Sequence, residues 1–217
     1  MKRSTLLLAA ALPVLAGVAP SSAQASQARL AAARGTLTGV ITDATTHKPM
    51  AHVLLTLGYL TKGYQLATET DAHGRYTFKN VLATKGIDAY SFAEGYYYFH
   101  GETAIRAGGT TTYSHIMGRD TSPQAHPTIV SYYATPGTPA RFGMRANKGN
   151  DAFSFEMMAI SPDLGRLVVL QHGPGNRYDG TLALPAGIKG GTYTFYFVAT
   201  QNNCFTNKTF PSKRVTL

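Results

Sequence analysis

The stretch Thr70-Asp71-Ala72-His73-Gly74-Arg75-Tyr76-Thr77-Phe78 limits the fold more than any other part of the chain. Asp71 can accept hydrogen bonds from backbone N–H groups a few residues on, and Gly74 can take a positive φ without a steric clash, so the centre of the stretch reads as a tight turn. After it, Tyr76 and Phe78 fall on one side of an extended segment and Arg75, Thr77 and Lys79 on the other, the two-residue period of a half-buried strand. Strand, turn and strand in so few residues predict a hairpin with a bulge, with Asp71 and Gly74 as its structural turn residues. The turn carries no evident chemistry.

The same signature runs along most of the chain. Short segments rich in Val, Ile, Thr, Tyr and Phe, punctuated by turn residues, predict strands over 36–42, 52–57, 65–70, 75–80, 87–92, 96–99, 104–106 and 110–117. A Pro-containing stretch follows, Thr121-Ser122-Pro123-Gln124-Ala125-His126-Pro127, which suits a semi-extended linker. Seven further strands are predicted over 128–134, 140–146, 152–160, 166–171, 178–184, 192–200 and 214–217. No long helical period appears after Arg34, and strands this short with turns this frequent indicate sandwiches. The expected fold class is all-β, two tandem β-sandwiches over 35–120 and 128–217, joined by the linker 121–127.

Residues 1–25 stand apart. Lys2 and Arg3 precede an apolar run over 6–18, and Ala23-Gln24-Ala25 offers a small-x-small cleavage site. The run falls short of the roughly 20 apolar residues that a membrane span needs, so it reads as a secretory signal peptide cut after Ala25. Residues 26–34 then form a short Ala-rich leader, expected to be mobile. The expected destination is extracellular or periplasmic, with no membrane span.

Loss of Lys2 and Arg3 leaves 18 basic against 11 acidic residues, a net charge of +7. The basic residues are scattered, with Lys213-Arg214 the one tight pair, and this argues against a nucleic-acid stripe. Diffuse attraction to a polysaccharide or an anionic cell-wall polymer fits better, and another secreted protein is a further expected partner. Cys204 is the only cysteine, so no intramolecular disulfide can form. It reads as a small apolar residue, and about 190 residues are enough for burial alone to hold a core.

Three segments resemble the carboxypeptidase regulatory-like domain: Gly39-Val40-Ile41-Thr42-Asp43-Ala44-Thr45-Thr46-His47-Lys48-Pro49-Met50-Ala51-His52-Val53, the Thr70 to Phe78 stretch, and Ala93-Glu94-Gly95-Tyr96. The resemblance covers about 85 residues, from Gly35 to near Arg119. It implies a small transthyretin-type sandwich of seven strands without catalytic residues, a module accessory to a secreted enzyme, receptor or adhesin. The chain departs from the family at Ala51-His52, where glycine-alanine is usual, and over 82–88, where a proline-glycine turn is missing. In the second half, Gly191-Thr192-Tyr193-Thr194-Phe195-Tyr196-Phe197-Val198-Ala199 is similar to the penultimate strand of bacterial immunoglobulin-like domains.

Enzymes on the transthyretin-type sandwich set a test. The ring-cleaving dioxygenases that resemble it hold iron with a His-x-His pair, and none occurs here; the nearest two histidines, His47 and His52, are five apart. The hydroxyisourate hydrolases end in a Tyr-Arg-Gly-Ser signature, which the first half lacks. There is no Gly-x-Ser-x-Gly elbow, and neither glycine-rich loop, 173–176 or 187–191, opens a helix that would cradle phosphate. Asp71 alone is a poor calcium ligand set. No catalytic, cofactor or metal residue is assigned.

The run Tyr96-Tyr97-Tyr98-Phe99, with Tyr90 nearby, is the candidate contact site. On a strand, Tyr96 and Tyr98 share one face and Tyr97 and Phe99 the other, and only one face can be core. Two rings should then be exposed, either as a platform for sugar rings or as a contact with the second sandwich. Asn207-Lys208-Thr209 also fits an N-glycosylation sequon. The expected function is a secreted, non-catalytic binding or structural protein. A carbohydrate-binding accessory module with an aromatic platform is the alternative, and an enzyme on the transthyretin fold a distant one.

Overall fold

In the first strand, β1 (Arg34–Asp43), Gly35, Leu37, Gly39, Ile41 and Asp43 point inward while Thr36, Thr38, Val40 and Thr42 are half-exposed. That alternation, carried by β-branched residues, is why the segment is a strand with one buried face. The computed structural model describes residues 33–58, 65–122, 126–146, 155–184, 188–201 and 205–217. Residues 1–32, with the signal peptide and most of the leader, lie outside the described residues, as do Cys204 and linker residues 123–125; Arg34, the last leader residue, opens β1 and corrects the expected mobility at that position. Among those described the fold is all-β; one 3-10 turn, Pro174–Asn176, is the only helical element, and no helix is long and apolar enough to cross a membrane.

Two four-stranded sheets come first. In one, β1 pairs antiparallel with β4 (Arg75–Leu82) and parallel with β7 (Thr110–Thr112) and β8 (His115–Met117) in succession. In the other, β3 (Gln65–Glu69), β2 (Leu54–Gly58), β5 (Thr84–Phe92) and β6 (Phe99–Ile105) pair antiparallel in that order. Leu37, Ile41, Leu55, Leu57, Phe78 and Ile87 lie in the core between them.

Because β3 and β4 belong to different sheets, the turn at Asp71 is a corner between layers and not the predicted hairpin. Asp71 Oδ1 accepts the N–H groups of His73 and Arg75 at 2.8 and 2.9 Å, and Gly74 sits at φ +68°. Long-range ties then override local pairing. Thr70 Oγ1 accepts the Val53 N–H and donates to the Met50 carbonyl, while the Gly74 carbonyl accepts the Ile41 N–H and leads β4 onto β1. A Cβ at Gly74 would lie 2.7 Å from the Ile41 carbonyl oxygen, so glycine is needed for closeness as well as for φ.

Strands β9 (Ile129–Thr135), β10 (Ala140–Ala146), β11 (Phe155–Ser161), β12 (Arg166–Gly173), β13 (Arg177–Leu182), β14 (Thr192–Gln201), β15 (Phe205–Thr206) and β16 (Ser212–Thr216) follow. β12 pairs with β11 through Arg166–Leu170 and with β13 through Gln171–Gly173, so it passes from one layer to the other. The layers β12-β11-β14-β16 and β13-β10-β9 enclose a second core that includes Phe142, Met144, Met157, Phe195 and Phe197. The short strand β15 is additional to the seven predicted for this half.

A third core joins the two halves. Leu54, Ala67 and Phe92 of the β3-β2-β5 sheet pack with Met158, Ile160, Leu167 and Val198 of the β12-β11-β14 layer. Residues 33–217 form one compact unit, whose described strands make four sheet layers around three cores. The central strand β2 is buried on both faces: all five of its residues are buried. Burial of the six larger side chains, at roughly 2 kcal/mol each, gives a gross term of about 12 kcal/mol. That is as large as the net stability of a whole domain.

Candidate functional site

On β1, the period that sends Leu37 and Ile41 into the core sends Asp43 there too, with 3% of its surface exposed. A buried carboxylate needs partners. Its Oδ1 accepts the N–H groups of Thr45 and Thr46 at 2.8 and 2.7 Å; its Oδ2 accepts the Tyr96 hydroxyl at 2.5 Å and Arg119 Nε–H at 3.3 Å. The Arg119 guanidinium also lies 5.6 Å from the Tyr96 ring centre. The Tyr96 hydroxyl, followed by the Thr46 N–H, holds the Asp43 carboxyl well below the usual carboxylate range. Burial, and then the bond to Asp43, raises the Tyr96 hydroxyl. The signal for this cluster in the sequence is an acidic residue in phase with the core positions of β1, which a pattern of metal-ligating or catalytic residue types does not contain.

The aromatic run does not follow strand alternation. Strand β6 begins only at Phe99, and Tyr96 makes a single bridge, with Arg119. Tyr96 and Phe99 consequently pack on the first core, while Tyr90 and Tyr98 pack on the middle core. Tyr97 is half-buried and donates its backbone N–H to the Gly118 carbonyl at 3.1 Å. All five residues are half-buried, which corrects the expectation of two exposed rings. Their neighbours are other rings: Tyr90 stacks on His100 at 4.4 Å, Phe99 stacks on His115 at 3.9 Å, and Tyr98 lies 5.7 Å from Phe92.

A cleft of about 530 Å³ opens beside this cluster, at the junction of the two halves. Lys48, His52, Glu69 and Arg119 line it from the first half, and Tyr196 and Phe210 from the second. Glu94 crosses the junction here, its Oε1 accepting the Phe210 N–H at 2.6 Å. Such a mixed polar and aromatic wall can hold a small polar molecule. Asp43 is saturated by its four donors, and Glu94 is engaged by Phe210. Among the described residues no group of three His, Cys, Asp or Glu side chains is placed to hold a metal.

Two further interior clusters tie the chain together by hydrogen bonds. Asp120 Oδ2 and the Thr206 carbonyl both lie 3.2 Å from His126 Nδ1, which ties the two ends of the linker to β15. Asn207 is 3% exposed; its Oδ1 accepts the Ala199 N–H, and its Nδ2 donates to the carbonyls of Phe197 and Thr209. The amide nitrogen that glycosylation would modify is thus buried and bonded.

No protein-family model and no curated protein matches the chain. Several solved structures are similar in outline. A candidate carbohydrate binding protein from Bacteroides uniformis is 13% identical over 84% of this chain and 99% of its own, with a TM-score of 0.33. A DUF3823 family protein from Bacteroides ovatus is 10% identical over 85% and 99%, TM-score 0.34. BcpA, the major pilin subunit of Bacillus cereus, is 13% identical over 84% of this chain and 67% of its own, TM-score 0.34. Likeness at this level assigns neither family nor function.

Proposed function

We propose that the protein is an exported, non-catalytic module that acts as a rigid binding or structural unit at the cell envelope or outside the cell. The observation that carries this reading is the middle core, which holds the two halves face to face through Leu54, Phe92, Met158, Ile160, Leu167 and Val198. Such a block keeps surfaces on its two outer layers in a set relative orientation. Two of its perturbed groups are closed on structural neighbours, Asp43 on Tyr96 and Arg119 and the Tyr76 hydroxyl on the Tyr113 carbonyl.

On this reading the halves are two sandwiches over 35–120 and 128–217 with the linker 121–127 between them, after a signal peptide that ends at Ala25. The pairing of β1 with β4, β7 and β8 opposite β3-β2-β5-β6 supports a carboxypeptidase regulatory-like first half. The layers β9-β10-β13 and β12-β11-β14-β16 support an immunoglobulin-like second half. Tyr90, Tyr96, Tyr97, Tyr98 and Phe99 then serve packing, with Tyr90 and Tyr98 on the interdomain side. Partners are polysaccharides or other secreted proteins, met on the outer layers. Incubating the protein with insoluble cell-wall material and a panel of polysaccharides tests this. Retention without release of reducing ends, acyl groups or oxidised products is expected, and turnover of any of them would overturn it.

A further inference from the structure

The outward face of the β9-β10-β13 layer is polar, and pairing register arranges it in three rows. Arg141 stands between Thr135 and Thr181; Gly143 stands between Tyr133 and Asp179, with Gln171 beyond; Arg145 stands between Ser131 and Arg177. Arg141, Arg145, Arg177 and Thr181 are exposed, while the alternate residues Phe142, Met144 and Tyr178 face the core.

The middle row is built around its glycine. A Cβ at Gly143 would fall 2.1 Å from the Tyr133 ring and 2.7 Å from Asp179 Oδ1. Its absence lets the Tyr133 hydroxyl reach over the strand and donate to Asp179 Oδ1 at 2.6 Å. This leaves a shallow groove of about 620 Å³ lined by Tyr133, Arg141, Gln171, Asp179 and Thr181.

The charges are unbalanced. Arg145 lies directly opposite Arg177, and like charges at such a pair are unfavourable. Asp179 is the one carboxylate in the rows; Arg177 Nη2 is 3.7 Å from it, and it is already engaged by Tyr133. Among the described residues neither Arg141 nor Arg145 has an acidic partner within 4.0 Å. A sheet face that retains three exposed guanidinium groups, two of them opposed, is complementary to carboxylates brought from outside, which such groups bind in a bidentate fork.

We propose that this face binds a carboxylated polysaccharide. Arg141 on one side and the Arg145–Arg177 pair on the other take sugar carboxylates; Tyr133 offers a ring, and Asp179 and Gln171 meet hydroxyl groups between them. Four residues of strand separate Arg141 from Arg145, about 13 Å, which exceeds one sugar ring and selects a polymer. Asp179 in the middle row argues against a nucleic-acid backbone, whose unbroken phosphates would meet a carboxylate there. The proposal rests on the reading of the protein as a binding module and names the ligand class of one of its outer layers.

Binding of the full chain to polygalacturonate, measured by affinity electrophoresis at low and physiological salt beside dextran and double-stranded DNA, tests it. The expected result is retention by polygalacturonate that weakens with salt, and none by dextran. The double variant Arg145→Gln/Arg177→Gln should weaken binding about tenfold or more while its Tm stays level or rises, because an opposed like-charge pair is removed. The control Lys213→Gln/Arg214→Gln, which removes the same charge from exposed positions on β16, should bind as the parent does. Absence of retention, equal loss in both double variants, or preference for DNA would overturn the assignment. Those outcomes are separate from turnover of the polymer, which would overturn the module reading itself.

Discussion

The Glu94 carboxylate accepts the Phe210 backbone N–H at 2.6 Å, across 116 positions of sequence and across the junction of the two halves. A second tie, from the Ala67 N–H to the Gly165 carbonyl at 3.1 Å, lies along β3. Such bonds fasten the rim of the middle core and should show in local opening. In Glu94→Ala the Phe210 amide is expected to exchange with solvent about tenfold faster, with little change in global Tm. Residue-resolved hydrogen exchange checks this.

Tyr96→Phe removes the donor that contributes most to holding down the Asp43 carboxyl. The Asp43 carboxyl should then titrate closer to its ordinary value, which NMR of the side-chain carboxyl reads directly. A carboxylate whose folded-state pKa is depressed stabilises above its unfolded pKa, near 3.8, and loses that contribution as pH falls through the folded value. The acid unfolding midpoint of Tyr96→Phe should therefore move to higher pH.

His115 supplies a separate acid limb. Burial beside Phe99 and Tyr113 pushes its imidazole down to about 4, and neither ring nitrogen has a hydrogen-bond partner. The unfolded chain binds this proton near 6.5 and the folded one near 4, so stability falls as pH drops between those values. The loss approaches at most about 3 kcal/mol. Denaturant titrations of His115→Phe should lack that slope while keeping the lower-pH limb due to Asp43.

The layered architecture explains which parts of the fold could be read from the chain. β1 alternates throughout and β4 from Arg75 to Lys79, because each has one face on a core and the other half-exposed or exposed, and their positions follow from the sequence. Met157-Met158-Ala159-Ile160 and Leu167-Val168-Val169-Leu170 do not alternate, because their strands lie between two cores. A continuous apolar run marks a doubly buried strand without naming what covers its second face, so the all-β class was legible and the face-to-face packing of the layers was not. Tyr96 to Tyr98 depart from strand alternation for the opposite reason: they precede β6, which begins at Phe99. Asp71 and Gly74 were legible as a turn, but local residues could not reveal that Thr70 and Ile41 draw its two arms into different sheets.

Asn207 is expected to stay unmodified in a host that glycosylates, since its Nδ2 is bonded inside the fold. Intact mass should show no added glycan. Asn207→Ala leaves the Ala199 N–H and the Phe197 carbonyl unpaired in a buried setting and should cost about 2–3 kcal/mol in denaturant unfolding.

Differential scanning calorimetry of the protein and its Met158→Glu variant tests most directly whether the middle core makes residues 33–217 one cooperative unit. The parent should unfold in a single transition whose van't Hoff and calorimetric enthalpies agree, and the variant, with a charge placed against Leu54 and Phe92, should separate into two transitions. Two independent transitions in the parent, or an unchanged single one in the variant, would contradict the account.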